Sequence, residues 1–309
     1  MARGTRGGAA GEAARRRPSG GGGGAPSRGP AGTAPSPMGH GGGRHPTPGG
    51  GGPPGPLPDP GSDGRIGLGG PAPRVKVPAM AERVWGKFIE RPNRFSLWVE
   101  LNGKRELAHL PNPGRLPEIL TPKRRILLRK AEGVKRKTRW TAIGADLSGM
   151  LVSIDSTLPN RFFPEALEEG AIPPLKGWRI AAREPRLGQG RSDFLLEREN
   201  RRLFLEVKSV TLVEARVALF PDAPTLRGRR HLLELAEAVR KGASAMVLFV
   251  VQRPDATRFG PNEGIDPAFA EALRKAIKEG VEMYALVCSF DGEKLQPQRF
   301  LGSEDLVLP

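Results

Sequence analysis

The 309-residue chain carries 49 Lys and Arg against 33 Asp and Glu, a formal net charge of +16, and only one cysteine. A single cysteine excludes a disulfide framework, and no Cys/His grouping has the spacing of a structural zinc site. No apolar run approaches the ~20 residues that span a bilayer, so no membrane partner is expected and the chain should be soluble and cytoplasmic.

The chain divides into two unlike parts. Residues 1–79 hold 25 of the 42 glycines and 15 of the 32 prolines, and their few apolar residues show no period. Such a segment cannot bury enough surface to offset its ordering entropy, so 1–79 is expected to be a disordered extension. It has no apolar h-region and is not a signal peptide. Ten Lys/Arg against three Asp/Glu give it the charge of a basic arm. The plainer reading is a non-essential extension or a misplaced start, because Met80 opens a sequence with the look of a natural start. Residues 80–309 suffice for two small domains. They keep a basic surplus, 39 residues against 30, which favours a polyanionic partner, most simply nucleic acid.

Residues 84–158 read as short strands with turn punctuation. Arg94–Leu101 alternates, Asn102-Gly103 is a hairpin turn, and Lys104–Leu110 returns. Arg124–Arg129, Arg139–Ala145 and Met150–Asp155 follow. Five short strands in this span predict a small barrel of the OB (oligonucleotide-binding) type over 80–158. Arg94, Lys135, Arg136 and Lys137 interleave with Phe88, Phe95, Trp98 and Trp140, the mixture with which such barrels hold a strand's backbone and stack its bases. Each aromatic taken singly reads as core, and the run Lys135-Arg136-Lys137 as a phosphate contact. Leu110-Pro-Asn-Pro-Gly-Arg-Leu116 is a rigid turn, with His109 beside it as a structural residue.

The remainder, 159–309, predicts an α/β domain. A helix runs from Asn160 to its cap at Gly170. Then two apolar runs, Arg191-Ser-Asp-Phe-Leu-Leu and Leu203-Phe-Leu-Glu-Val-Lys-Ser-Val, flank the polar stretch Glu197–Arg202. A two-residue turn at Glu199-Asn200 pairs 194 with 205 and sets Asp193 opposite Glu206, roughly 5 Å apart. Lys208 falls on the face of Glu206. The opposite face (Phe194, Leu196, Leu203, Leu205, Val207) is apolar and should be packed. Two carboxylates and an ammonium at one spot suit Mg²⁺ or Mn²⁺ and an oriented water. A plain hairpin with a cross-strand ion pair would show the same spacing. The set resembles the PD-(D/E)xK nuclease superfamily.

Further on, Arg227-Gly-Arg-Arg-His231 precedes a helix read as Arg229–Lys241. Arg227, Arg229 and Arg230 oppose the dipole at that helix start, a poor choice unless an anion binds there; together with Arg191 they are candidate DNA contacts. Glu234 and Glu237 one turn on would offset the charge otherwise. Strand Ala245–Gln252, a helix capped by Asp266 with Pro267 at its first position, and strand Val281–Phe290 complete a sheet flanked by helices. Cys288, in the last apolar run, reads as a small buried hydrophobe.

Asn93-Arg-Phe, His109-Leu-Pro-Asn-Pro-Gly-Arg-Leu116, Asp193-Phe, Leu205-Glu-Val-Lys-Ser-Val-Thr-Leu212, Phe220-Pro-Asp-Ala, Thr225 with Arg227-Gly228, and His231-Leu232 together resemble the sugar fermentation stimulation protein A (SfsA) family, in order and over Met80 to about Phe290. The resemblance implies an N-terminal OB-fold domain, a C-terminal restriction-endonuclease-like domain, DNA binding largely without sequence preference, and a role in regulating sugar (maltose) metabolism. It maps the acidic site onto Asp193, Glu206 and Lys208, with Glu184 as an extra carboxylate ligand. Gly190 stands where the family commonly has serine, and the helix near 160 carries two phenylalanines and a second proline; neither change removes the expected ligands. Two functions therefore stand side by side: a DNA-binding protein that acts by occupancy, and a Mg²⁺- or Mn²⁺-dependent nuclease. Cutting both strands takes paired sites, which makes a homodimer one candidate assembly.

Overall fold

A computed structural model describes residues 82–131 and 136–307. The low-complexity extension read over 1–79 and the expected phosphate contact Lys135 lie outside them. The described residues fall within a single unit.

The first six strands are β1 (Arg83–Asn93), β2 (Ser96–Leu101), β3 (Lys104–His109), β4 (Arg125–Lys130), β5 (Trp140–Leu147) and β6 (Met150–Ser153). They form one sheet in the order β3-β2-β1-β4-β5-β6, and a parallel β3–β5 pairing closes the first five into an OB-like barrel. The strand β1 goes beyond the five expected from sequence, the first of which began at Arg94 within a barrel read over 80–158. It lacks clean alternation and contains Pro92, yet it occupies the middle of the sheet because its register slips twice, between Phe88 and Glu90 and again before Asn93. Such bulges let a strand bend and keep pairing. At the β2–β3 turn Asn102 and Gly103 have φ of 51° and 75°, the left-handed pair that a two-residue hairpin requires. Leu97, Val99, Ile126, Leu128, Ala142 and Ile154 fill the barrel.

After the barrel come α1 (Leu158–Glu168), β7 (Arg179–Arg183), β8 (Arg186–Leu187), β9 (Gly190–Arg191), β10 (Phe194–Arg198), β11 (Arg201–Val210), β12 (Val213–Glu214), β13 (Val217–Phe220), α2 (Leu226–Arg240), β14 (Ser244–Val251), β15 (Arg258–Pro261), α3 (Pro267–Lys278), β16 (Glu282–Phe290) and β17 (Leu295–Leu301). The main sheet runs β17-β16-β14-β11-β10-β7, with β11, β14 and β16 parallel. Parallel neighbours need crossovers, and α2 and α3 supply them. The parallel strands are apolar on both faces because both are covered. One face packs against α2 and α3 through Leu232, Leu235, Phe249, Phe269 and Leu273. The other packs against α1 and the outside of the barrel, where Phe163, Phe194, Leu205 and Phe290 meet Leu127 and Ile143. Cys288 is buried in that second core, and burial pushes its thiol up to about 12. The barrel and the sheet thus share apolar surface and hold a fixed cleft between them.

Candidate active site and nucleic-acid cleft

The β10–β11 hairpin has the register read from sequence: Phe194 pairs with Leu205 and Arg198 with Arg201. Strand alternation then decides the site. Leu203, Leu205 and Val207 turn to the core under α1, which turns Glu206 and Lys208 toward α2. Asp193, one residue before β10, is held at both oxygens. Its Oδ2 accepts the Val207 amide at 2.8 Å and its Oδ1 accepts Asn160 Nδ2 of α1 at 2.8 Å. Next to it the Ser192 hydroxyl donates to the Leu205 carbonyl at 2.7 Å and stitches the hairpin there.

Glu206 is only 3 % exposed. Its Oε1 takes Lys208 Nζ at 2.6 Å and also His231 Nδ1 from α2. Arg227 Nε donates to His231 Nε2 at 3.3 Å. That bond needs a bare Nε2, so the ring proton sits on Nδ1 and points at Glu206. The two carboxylates are driven apart electrostatically. Burial and the nearby Glu206 charge raise Asp193 above the usual carboxylate range, against the Val207 amide. Burial alone would raise Glu206 too, but the His231 bond and the Lys208 charge outweigh it and leave Glu206 lowered. Opposed shifts of neighbouring carboxylates are how a site divides roles between two like groups.

These groups face a cleft of about 900 Å³ between barrel and sheet. Arg94 and the turn Asn112–Arg115 line it from the barrel, Asp193, Glu206 and Lys208 from the sheet, and Arg227 from α2. The two sides interlock at Asp222: its Oδ2 accepts the Leu116 amide at 3.4 Å. A Cβ at Gly114 would lie 2.3 Å from that same oxygen, so only glycine lets the barrel turn approach. Arg91 braces the turn by donating to the carbonyls of Arg94 at 2.7 Å, Asn112 at 2.9 Å and Arg115 at 2.8 Å.

Two family models match the chain: the SfsA N-terminal OB domain over residues 89–154 and the sugar fermentation stimulation protein RE domain over 157–294. A sugar fermentation stimulation protein homolog of Moorella thermoacetica is 43% identical over 219 residues, 70% of this chain and 94% of that protein. The chain belongs to the sugar fermentation stimulation protein family. A homolog of this family from Clostridium kluyveri is 45% identical over 206 residues, 66% of this chain and 90% of its own length. The structure of Pyrococcus furiosus SfsA in complex with Ca²⁺ superposes with a TM-score of 0.67 at 34% identity, over 72% of this chain and 99% of that one.

As family members go, this chain assembles some expected site residues and separates others. Asp193, Glu206 and Lys208 converge. Glu184 does not join them: its side chain is 71 % exposed and its carboxylate pairs with Arg191 Nη1 at 3.1 Å, while its backbone amide donates to the Asp193 carbonyl. Residue 184 has φ of 49°, which turns its side chain off the site strand. The sequence also begins α2 three residues late. Thr225 caps it by accepting the Gly228 amide at 3.0 Å, so Arg227, Arg229 and Arg230 lie within the helix. There, three and four residues apart, Arg227, Arg230 and His231 share a side. Arg229 lies opposite, its Nε 3.8 Å from the α3 cap Asp266, and is a structural bridge. Arg227 and Arg230 join Arg186 and Arg191 around a second depression of about 390 Å³ walled by His231. Gly190 belongs to it for steric reasons, since a Cβ there would meet Glu234 Oε2 at 2.9 Å. Arg136 and Lys137 are exposed on the β4–β5 connection and do not line the cleft. Two residues of the site went unread: Asn160 and His231 lie 33 and 38 positions from Asp193 in the chain, and only the packing of α1 and α2 brings them in.

The donor chemistry fits a hard divalent cation. Asp193, just before β10, and Glu206 of the neighbouring β11 offer oxygens with a repulsion between them that Mg²⁺ or Mn²⁺ would relieve. Among the described residues no group of three or more His, Cys, Asp or Glu converges, so water and substrate oxygens would complete the shell, as Mg²⁺ favours. Among the described residues, no helix is long and apolar enough to cross a membrane.

Proposed function

We propose that this protein binds DNA, largely without sequence preference, and hydrolyses phosphodiester bonds in the cleft. The observation that carries the reading is Lys208. Its side chain is only 12 % exposed, wedged beside a Glu206 side chain that is more buried still. Burying an ion pair costs more than a surface pair returns, and a surface that only holds DNA has no use for it. A divalent ion, when bound by Asp193 and Glu206, supplies Lewis-acid stabilisation of phosphate charge. Around it the protein's own groups divide the work. Asn160 and the Val207 amide fix Asp193, and His231 fixes Glu206. Lys208 holds and orients a water beside Glu206, and Arg94 and Arg227 take phosphates at the cleft walls. The relative from P. furiosus was solved with Ca²⁺, a cation that takes the same oxygen donors.

The test is nicking of supercoiled plasmid by the full chain with Mg²⁺ or Mn²⁺, beside Asp193→Ala and Lys208→Ala. Both substitutions should lower nicking by about 100-fold or more with binding retained. An idle unaltered protein that still binds DNA in a salt-sensitive way would sink the hydrolytic half. One observation favours that second reading, a DNA-binding regulator of sugar (maltose) metabolism acting by occupancy. Glu206 Oε1 is already satisfied by both Lys208 and His231, as in a site that rests closed.

A further inference from the structure

Five aromatic residues stand in the described part of the barrel, and their surroundings differ. Phe88 and Trp140 are core. Trp85 and Trp98 lie on the outer surface, but each has a guanidinium 4.5 Å from its ring centre, Arg125 and Arg105 respectively. Phe95 is 49 % exposed, and the nearest guanidinium, that of Arg94, is 6.0 Å from its ring centre, at the outer limit of such a contact. Its face is open.

The turn that carries Phe95 is held rigid. The Phe95 amide donates to Asn93 Oδ1 at 2.9 Å. Its carbonyl accepts the Leu110 amide at 2.8 Å and lies 3.1 Å from His109 Nδ1. Arg91 grips the Arg94 carbonyl. The register of β1 against β2 also slips just before Asn93, where the strand bends into this turn. An exposed apolar ring on a mobile loop would be ordinary; a ring presented on a braced turn has already met the ordering cost of making a contact. The tip also has a direction, because Arg94 lines the cleft that holds Asp193, Glu206 and Lys208.

We infer that the Arg94–Phe95 tip is a base-stacking platform: an unpaired DNA base lies on the Phe95 ring while a neighbouring phosphate sits on Arg94, so the cleft selects single-stranded or locally opened DNA. This rests on the DNA-binding reading above and adds the substrate class. A base inside a duplex has both faces occupied and gains nothing from Phe95; an unpaired base gains a stacking partner whatever its identity.

The experiment is fluorescence anisotropy with the full chain, a single-stranded oligonucleotide and a blunt duplex of the same length, at several salt concentrations, for unaltered protein, Phe95→Ala and Phe95→Trp. Phe95→Ala should weaken single-strand binding by about 5- to 100-fold and leave duplex binding within twofold, and Phe95→Trp should restore the strand. Equal loss on both DNAs, or loss on neither, overturns the platform while the DNA-binding reading stands. Absence of salt-sensitive binding by the unaltered protein to either DNA overturns both. Because Phe95 is exposed, thermal unfolding of the variants should match the parent, which separates a stacking role from a packing one.

Discussion

Two basic regions meet at Arg227 and His231 and are built in opposite ways. In the cleft, the Lys208 side chain is nearly enclosed and its Nζ lies 2.6 Å from the buried Glu206 carboxylate. In the adjoining depression, Arg191 and Arg230 are more than half exposed and pair with Glu184 at 3.1 Å and Glu234 at 3.7 Å. Buried charges act as a set, each member leaving the next stranded if removed. Exposed charges act one at a time and are screened. The largest test of this contrast is Glu206→Ala, which strands the buried Lys208 and His231 side chains without their shared carboxylate and should cost about 3–5 kcal/mol. Arg186→Ala in the depression should fall within about 0.5 kcal/mol of the parent. Urea unfolding of the two variants decides it: comparable losses would mean that the cleft network is no more cooperative than surface charge.

The second difference is that the cleft takes walls from both halves of the molecule, whereas the depression is made by α2 and the β8–β9 ribbon alone. Gly114 sits where the halves touch. A methyl there must displace the Asp222 carboxylate, which is held by the Leu116 amide, so Gly114→Ala should lower stability by about 1–3 kcal/mol. The same change at Gly103, where a Cβ meets nothing, tests only backbone strain. If both variants melt alike, the interlock contributes nothing.

What was legible in the sequence follows the range of the forces involved. The hairpin register was readable because a two-residue turn and period-2 alternation are local, and they fix 193 opposite 206 without further help. The β2–β3 turn was readable for the same reason. β1 was not, because its bulges and Pro92 break the alternation and only its two neighbours make it a strand. α2 was read short by three residues: its cap is Thr225, which accepts the Gly228 amide, and Gly228 leaves room for that cap, since a Cβ would sit 2.7 Å from Thr225 Cγ2. Arg229 carried the same charge as its neighbours in the chain but faces Asp266 instead. Composition names a basic face; only the helix phase says which arginines are on it.

Salt titration sharpens the contrast next. If the depression contributes phosphate contacts, Arg186→Ala and Arg191→Ala should each weaken DNA binding modestly for every sequence. Each should also flatten the slope of log affinity against log salt by about one. Lys208→Ala should leave that slope nearly unchanged, since its charge is already spent on Glu206. A larger slope change from Lys208 than from Arg186 would invert the assignment of the two regions.

The smallest expected effect is in pH, and it too separates buried from exposed. Burial raises Asp222 above the usual carboxylate range, although the Leu116 and Arg115 amides and Arg91 pull the other way. A carboxyl raised in the folded state favours folding when protonated. Its contribution is fully present below the ordinary value of the unfolded chain and is lost as pH rises through the raised folded value. Asp222 should therefore make the protein less stable at neutral pH than in weak acid. Glu118, also raised by burial, adds to the same limb. Asp222→Asn keeps an oxygen for the Leu116 amide but cannot ionise, so its melting temperature should fall less between weak acid and neutrality. Each kcal/mol recovered is worth about 2–4 °C in a protein of this size. An unchanged slope would place the titration elsewhere and leave Asp222 as a hydrogen-bond acceptor only.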